Sequence, residues 1–242
     1  MYERLAEFYE EIFPLNPLTL DFILKCLPNP KGDSATLDVG CATGELCRAL
    51  LERGHPVVGI EPDREMFALA IERSDGEIPF YPLGMEDVGT RFPENAFTAV
   101  LCLGNTLAHL KNFNAIQDFL SDVARVLSPD GHFIFQIVNF DRLSLTQLPD
   151  FPVIERRGFR FVRQYEWIDE HTAIRFITTL ENLSNNTSKT GSCRLFPATK
   201  AQLSTALTTA GFSTQNWFGN FKGDAFTPKS PAAICVAEIV KL

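Results

Sequence analysis

Short runs rich in β-branched and aromatic residues alternate with helical patterns between Ala35 and Val138. This alternation is typical of βαβ units, whose strands lie side by side in a parallel sheet with helices on its faces. It predicts a doubly wound α/β domain. The predicted strands are Ala35–Val39, Pro56–Ile60, a weaker Phe80–Leu83, Phe97–Leu103 and Phe133–Val138, and the predicted helices between them are Glu45–Arg53, Arg64–Ser74 and Ala115–Leu127.

Residues that begin and end helices accompany these patterns. Asp63 and Asn114 stand where an N-cap side chain would accept a hydrogen bond from the first helical turn. Gly54 follows the first predicted helix and Ser128–Gly131 follows the last, as residues that end helices commonly do. These residues predict the end of the first helix, the start of the second and both ends of the third.

The segments on either side of this core have different patterns. Two amphipathic helical patterns, Tyr2–Phe13 and Leu18–Leu27, predict an N-terminal helical cap in residues 1–34. Polar and apolar residues alternate in Pro152–Phe196, which predicts a small antiparallel β insertion in residues 141–196. The main domain would then comprise residues 35–140 and 197–242, the latter with a helix at Ala198–Ala210 and strands at Thr214–Phe218 and Ala232–Val240.

Charge and composition disfavour several classes of protein. The 242 residues carry 22 Lys and Arg against 30 Asp and Glu, and the net charge of −8 repels nucleic-acid phosphates. The six cysteines are scattered singly, without the spacing of a metal site. No signal peptide and no apolar stretch of membrane-spanning length is recognised. We expect a cytoplasmic monomer or homodimer without a metal, a nucleic-acid partner or a membrane partner.

The segment Leu37–Leu46 runs from a predicted strand through a glycine-bearing turn into a helix. Ligands of open α/β sheets bind at the carboxyl ends of the strands, where such a turn lies. Asp38 precedes the turn, and Glu61 ends the next strand, 17 residues after Gly44. A carboxylate there can accept hydrogen bonds from both hydroxyls of a ribose. The pair predicts a nucleoside site, and the alternative is two solvated strand-end carboxylates.

Two residues of the turn bear on which nucleoside binds. The dinucleotide fingerprint G-x-G-x-x-G lets backbone amides close on a pyrophosphate. In this chain Ala42 stands at the second glycine and Glu45 at the sixth position. Both oppose an anionic ligand, although an acid in a first helical turn also favours the helix dipole. S-adenosylmethionine fits such a turn, because it carries an ammonium and a sulfonium and has no phosphate.

Three segments, Leu37–Glu45, Val57–Asp63 and Val100–Leu110, resemble the successive motifs of class I S-adenosylmethionine-dependent methyltransferases, in order and at the family's spacing. The resemblance is strong over Leu37–Asn139 and weak in the tail. It implies an α/β, Rossmann-like doubly wound seven-stranded sheet of order 3-2-1-4-5-7-6 with the last strand antiparallel. It also implies a transferase that uses S-adenosyl-L-methionine and releases S-adenosyl-L-homocysteine.

The resemblance implies cofactor roles for residues that match the family's motifs. Glu61 would hold the ribose, and an N-terminal aromatic residue such as Phe8 or Tyr9 would cap the cofactor. Gly84 stands where many relatives carry an acid that reaches the adenine, so backbone groups of Met85 and Glu86 would hold the adenine instead. The other implied contacts are Asp38, Gly40, Cys41, Ala42 and Gly44 around the methionine part, Pro62 and Met66 beside the adenine, and Leu103, Gly104 and Asn105 near the sulfonium.

The acceptor is expected to be a small molecule that receives the methyl group on N or O, mainly through proximity and orientation. Candidate positioning residues are Tyr9, Asn105, His109 and Asn139. Helix packing is the alternative for Tyr9, a helix surface for His109 and a strand-end cap for Asn139. Arg163 shares the parity of nearby aromatic residues, so it either reaches solvent at a rim or receives an acceptor anion. Residues 141–196 would form a substrate lid.

Two other functions are compatible with a nucleoside site. One is a protein that binds S-adenosylmethionine without transferring its methyl group and serves as a partner or sensor. The other is a nicotinamide-dependent oxidoreductase, which Ala42 and Glu45 disfavour. An aromatic insertion favours an enzyme, because a sensor has less need of a second pocket.

Overall fold

The computed structural model describes residues 6–28, 35–145, 148, 151–156, 158–170 and 172–239. The strands, in chain order, are β1 (Ala35–Val39), β2 (Val57–Ile60), β3 (Phe80–Tyr81), β4 (Phe97–Cys102), β5 (Leu127–Val138), β6 (Ile154–Arg156), β7 (Phe159–Ile168), β8 (Ala173–Asn182), β9 (Thr187–Leu195), β10 (Phe212–Phe218) and β11 (Ala232–Ile239). The helices are α1 (Tyr9–Ile12), α2 (Pro17–Cys26), α3 (Glu45–Leu51), α4 (Arg64–Arg73), α5 (Val88–Arg91), α6 (Phe113–Val126), α7 (Phe140–Leu145) and α8 (Lys200–Thr209).

Seven strands form the main sheet, in the order β10-β11-β5-β4-β1-β2-β3. The five strands from β1 to β5 pair in parallel, and β11 pairs antiparallel with both β5 and β10. With β10 and β11 as the sixth and seventh strands, this is the predicted order 3-2-1-4-5-7-6. The expectation of a Rossmann-like doubly wound sheet is confirmed.

Helices on both faces bury the parallel strands, as a parallel sheet requires. On one face α6 presents Ile116, Phe119, Leu120 and Val123, whose helical spacing places four nearly fully buried side chains on one stripe. On the other face α2 and α3 supply Ile23 and Leu50, both fully buried. Each such side chain contributes about 1.5–3 kcal/mol when it leaves water, and together they fix the strand ends on which the site lies.

A second sheet of four antiparallel strands, in the order β6-β7-β8-β9, confirms the predicted β insertion. Its central pair is continuous from the Phe159–Asn182 pairing to the Ile168–Ala173 pairing. Ile174 and Leu195 at one end of this sheet are fully buried in the larger hydrophobic core of the main domain. The insertion is thus packed onto the domain through its own apolar residues.

The N-terminal segment packs between the turn after β1 and the second sheet. Glu10 of α1 accepts a hydrogen bond from the Thr43 hydroxyl at 2.7 Å and forms ion pairs with Arg48 at 2.8 Å and Arg73 at 2.6 Å. We call these four residues the cap latch. Burial disfavours the Glu10 carboxylate, but the hydrogen bonds from Arg48, Thr43 and Arg73 outweigh that cost and lower its pKa.

Several boundaries differ from the sequence predictions. Helix α6 begins at Phe113 because the Asn112 side chain accepts the Ala115 amide, so the predicted cap Asn114 is wrong. Strand β5 begins at Leu127, the last residue of the predicted helix, and runs through the predicted stop, since Leu127 pairs with Phe97 before the register shifts. Other differences include a shorter β3, a later start for α8, an earlier start for β10, the unpredicted α5 and α7, and a first helix reduced to a 3₁₀ turn at Ala6–Phe8 and α1. Residues 2–5 and 240 of the predicted elements lie outside the described residues.

The cap latch generates the first prediction. We expect Glu10→Ala to lower the free energy of unfolding by about 1–2 kcal/mol, because two guanidinium groups and a hydroxyl lose their shared acceptor. Urea denaturation measures this loss, and hydrogen exchange should become faster in residues 6–13. Glu7→Ala removes an exposed carboxylate from the same segment and should change neither. Identical behaviour of the two variants would contradict the latch.

Candidate active site

A cavity of about 400 Å³ lies at the carboxyl ends of β1, β4 and β5, between the N-terminal segment and the second sheet. The turn after β1 and the loop after β4 form its lower side. Tyr9 and Phe13 of the N-terminal segment form one wall. The opposite wall consists of inward-facing side chains of the second sheet, namely Phe161, Arg163, Tyr165, Phe176 and Thr178, together with Phe151.

The turn after β1 has left-handed backbone at Gly40, Ala42 and Gly44, with φ angles of 73°, 50° and 75°. A Cβ added at Gly40 would lie 2.5 Å from a side-chain carbon of Thr106, so a side chain there is excluded by the loop after β4. A Cβ at Gly44 would lie 2.8 Å from the Phe80 ring. These glycines let the turn lie tightly against its neighbours, and the methyl group of Ala42 remains where a dinucleotide site has hydrogen.

Two buried carboxylates flank this turn. Asp38 of β1 is 3% exposed and accepts a hydrogen bond from the Cys47 thiol at 3.3 Å. Glu61, which follows β2, is 8% exposed and accepts the amides of Ala42 and Asp63, both at 2.9 Å. In the described chain neither forms an ion pair with Lys or Arg. Burial therefore raises the pKa of Asp38 to about 6 and that of Glu61 to about 7.

Tyr9 lies among these acids. Burial raises the pKa of its phenol well above the ordinary value, and the charges of Glu61, Asp38 and Glu45 raise it further. Glu45 itself accepts the Leu15 amide at 2.9 Å, which joins the segment after α1 to the start of α3. The part of the cavity beside the turn after β1 therefore concentrates negative charge, which suits a cationic ligand.

The loop after β4 supplies backbone and two polar side chains. Gly104 and Asn105 both have left-handed backbone, and the space beside Gly104 is open. Asn105 accepts the Val138 amide at 3.0 Å, and Gln136 accepts the Gly104 amide at 3.0 Å. His109 is exposed toward the cavity, yet the protein around it still desolvates the imidazole and lowers its pKa. The imidazole is therefore neutral at pH 7, where it can accept a proton.

The cavity brings together most of the predicted site residues. Gly44 and Glu61 border this lining rather than forming part of it, since the Gly44 amide donates to the Cys41 carbonyl and Glu61 accepts the Ala42 amide, both at 2.9 Å. Pro62, Met66, Gly84, Met85 and Glu86 follow β2 and β3 outside the lining, with Met66 and Met85 buried and the Gly84 amide bonded to Asp87. The predicted residues in the lining are Tyr9, Asp38, Gly40, Cys41, Ala42, Leu103, Gly104, Asn105, His109 and Arg163.

Asn139 requires a correction, because it does not line the cavity. It is 1% exposed, and its side-chain amide donates to the carbonyls of Pro228 at 3.2 Å and Ser230 at 2.9 Å. These bonds join the end of β5 to the segment before β11. Asn139 is a structural residue and not one that faces an acceptor.

Sequence reasoning missed several lining residues. Gln136 is the polar residue in the otherwise apolar run Phe133–Val138, a signal that could have identified it. Phe161 and Tyr165 share the parity of Arg163, and the cross-strand register adds Thr178 and Phe176. Phe13 carries no comparable signal, since its place depends on how the N-terminal segment packs.

Neither a candidate metal-ion cluster nor a membrane-spanning helix occurs among the described residues. No group of three or more His, Cys, Asp or Glu side chains is placed to hold a metal ion in residues 6–28, 35–145, 148, 151–156, 158–170 and 172–239. Within the same ranges, the helices are too short or too polar to cross a bilayer.

The sheet order and the site at its carboxyl edge define the fold of class I S-adenosylmethionine-dependent methyltransferases. A solved structure of an S-adenosylmethionine-dependent methyltransferase from Clostridium acetobutylicum superimposes with a TM-score of 0.79 at 13% identity, covering 99% of both chains. Residues 37–135 match the family model described as a methyltransferase domain. The resemblance noted in the sequence is thereby confirmed.

Two curated proteins are similar over part of their length. A putative methyltransferase of Bacillus subtilis, YqeM, is 31% identical over 141 residues, which are 57% of this chain and 55% of that protein. The ubiquinone biosynthesis O-methyltransferase of Alkalilimnicola ehrlichii is 34% identical over 133 residues, 52% of this chain and 49% of its own. The chain therefore spans about half the length of these relatives.

The raised pKa of Asp38 generates a prediction about stability. The carboxyl titrates near 3.8 in the unfolded chain and near 6 in the folded protein. The folded state holds a proton that the unfolded state loses, so the contribution to stability is present at low pH and is lost as the pH rises. The loss is about 3 kcal/mol at most.

Asp38→Asn keeps the shape of the side chain and removes its titration. We expect urea denaturation of the ligand-free protein to show wild type losing stability relative to Asp38→Asn as the pH rises from about 4 to about 7. Asp21→Asn, on an exposed position of α2, should show no such trend. A difference between wild type and Asp38→Asn that does not change with pH would contradict the raised pKa.

Proposed function

We propose that this protein is an S-adenosylmethionine-dependent methyltransferase that moves a methyl group to N or O of a small molecule. The observation that carries the proposal is the pair of buried carboxylates, Asp38 and Glu61, without cationic partners beside the turn that contains Ala42. The methyltransferase-domain match of residues 37–135 supports it. The similarity to an O-methyltransferase of ubiquinone biosynthesis supports a small-molecule acceptor.

The residues present fit this cofactor. Glu61 would receive the ribose hydroxyls with the oxygen lone pairs that its two amide contacts leave free. Gly40, Cys41 and Ala42 would lie under the methionine part, where Asp38 and Glu45 complement positive charge. Leu103, Gly104 and Asn105 would line the sulfonium end. Pro62, Met66, Gly84, Met85 and Glu86 would surround the adenine beyond the cavity.

The chemistry asks little of the protein beyond positioning. When bound, S-adenosylmethionine would supply a sulfonium methyl group, whose carbon would bond in line to an acceptor N or O as the carbon–sulfur bond breaks and S-adenosylhomocysteine leaves. Tyr9 and Asn105 would position the acceptor, and His109, neutral at pH 7, would take the proton that the acceptor loses. Residues 141–196 would exclude water as a lid over the acceptor.

The setting of the enzyme follows from charge and cysteine chemistry. A net charge of −8 disfavours nucleic acid as a substrate. The six cysteines are free, as in a reducing compartment, which supports a cytoplasmic location. We also propose that the enzyme is a monomer or homodimer, and that it acts on a soluble acceptor without a membrane partner.

The alternatives are less well supported by the cavity. A nicotinamide dinucleotide would bring a pyrophosphate to a turn surrounded by Asp38, Glu45 and Glu61. A non-catalytic sensor of S-adenosylmethionine would not need the aromatic wall that extends the cavity beyond the turn. Competition binding between S-adenosylmethionine and a nicotinamide dinucleotide tests the first alternative. A turnover assay distinguishes the second alternative from an enzyme.

A substitution at Glu61 tests the cofactor assignment. Glu61→Ala should weaken the binding of S-adenosylhomocysteine by roughly tenfold to a hundredfold in calorimetry, because charge-assisted bonds to the ribose are lost. Glu72→Ala, an exposed position on α4, is the matched control and should bind as wild type does. Unchanged affinity in Glu61→Ala would remove the assignment.

Turnover is measured with S-adenosylmethionine and a panel of small phenols, amines and carboxylic acids, with mass spectrometry of the methylated product. The proposal expects methylation that persists when EDTA is added, because the displacement needs no Lewis acid. Cofactor binding without turnover on any acceptor would favour the sensor. Activity abolished by EDTA and restored by Mg²⁺ would contradict the metal-free mechanism.

A further inference from the structure

The wall of the cavity formed by the second sheet is mostly aromatic. Tyr165 pairs across the strands with Phe176, and their ring centroids are 5.3 Å apart. Phe151 packs edge-on against Tyr165 at 4.8 Å, and Phe13 packs edge-on against Phe161 at 5.6 Å. The wall therefore presents flat apolar surface, which favours a ligand with a flat ring.

One cation lies within this aromatic wall. The Arg163 guanidinium carbon is 5.1 Å from the Phe151 ring centroid and 5.7 Å from that of Phe13. Its Nη2 donates to the Pro152 carbonyl at 3.1 Å, whereas its Nε is buried without a partner. The side chain is held in place by the two rings and one carbonyl.

Arg163 differs from other arginines of the same sheet. Arg160 forms an ion pair with Glu181, Arg175 with Glu166, and Arg194 with Asp169. Among the described residues, no carboxylate lies within ion-pair distance of Arg163. Burial lowers the pKa of its guanidinium, which reflects the cost of holding this charge without a counter-ion. An anion from outside the chain would remove that cost.

We infer that the cavity takes an acceptor that joins a flat apolar ring to a carboxylate, with Arg163 receiving the carboxylate and Phe151, Tyr165 and Phe176 contacting the ring. The inference deepens the proposed function, and it rests on that function for the role of the ligand as the methyl acceptor. The planar guanidinium matches a planar carboxylate. Since the carboxylates of Asp38 and Glu45 already line the cavity, a single cation suits a monoanion better than a phosphate dianion.

The position of Arg163 relative to the polar side chains supports an acceptor whose carboxylate lies on Arg163 and whose other end points toward the main sheet. Thr178 stands directly across the strand pair from Arg163 and is 5% exposed. His109 and Gln136 face the same cavity from the main sheet. A ligand whose carboxylate lies on Arg163 can therefore extend its other end toward the loop after β4, where the methyl transfer is proposed.

Calorimetry with a matched set of probes tests the inference on protein saturated with S-adenosylhomocysteine. The probes are 4-aminobenzoate, its neutral amide 4-aminobenzamide, phenyl phosphate and benzylamine. We expect 4-aminobenzoate to bind at least about tenfold more tightly than each of the other three. In Arg163→Gln the preference over the amide should fall to about one, and Arg163→Lys should retain part of it.

Arg175→Gln is the matched control. It removes an arginine from the same sheet that already has its own carboxylate, and it should keep the full preference. Thermal unfolding and S-adenosylhomocysteine affinity should be unchanged in both glutamine variants, which separates lost recognition from lost folding.

Several outcomes would overturn the inference. They are equal binding of the acid and its amide, tighter binding of benzylamine or phenyl phosphate, no binding by any probe, or an unchanged preference in Arg163→Gln. If wild type binds S-adenosylhomocysteine and shows one of these results, the inference fails and the proposed function stands. If wild type does not bind S-adenosylhomocysteine, the proposed function fails, and the probes titrated alone still test Arg163.

Discussion

The turn between β1 and α3 is the constraint on which the rest of the site depends. Its left-handed residues, Gly40, Ala42 and Gly44, reverse the chain within a few residues and place backbone against Thr106 and Phe80. The surrounding elements are then fixed to it by side chains. Glu61 accepts the Ala42 amide from the end of β2, and the turn hydroxyl of Thr43 bonds to Glu10 of the N-terminal segment. A side chain at Gly40 would disturb these contacts together.

The N-terminal segment links the two halves of the cavity. Through Glu10 it is bonded to the turn and to α3 and α4, and through Phe8 and Phe13 it packs on Phe159 and Phe161 of the second sheet. Tyr9 stands between these contacts and faces the acids of the cofactor side. The two halves of the cavity are therefore built from different stretches of chain but share the wall formed by the N-terminal segment, so a disturbance of that wall would affect both halves.

Much of the fold could be predicted from the sequence, because local signals specify it. The alternation of strands and helices, the cap Asp63 and the glycine turn are all local, and the sheet order came from the family's pattern. What escaped depends on contacts distant in sequence. Asn139 was misassigned because its partners lie about 90 residues later, at Pro228 and Ser230. Phe13 was missed because only tertiary packing brings it to the cavity, whereas Gln136 has a local signal, its polarity within the apolar run Phe133–Val138.

The central claim is that buried, unpaired carboxylates at the ends of β1 and β2 receive a cationic nucleoside. Calorimetric titration with S-adenosylmethionine at about pH 6.5, in buffers of different ionisation enthalpy, counts the protons exchanged on binding. Because a bound cation lowers the pKa of Asp38 and Glu61, the account predicts binding with net proton release, and a smaller release in Asp38→Asn. Binding without proton release, or no binding, would contradict it.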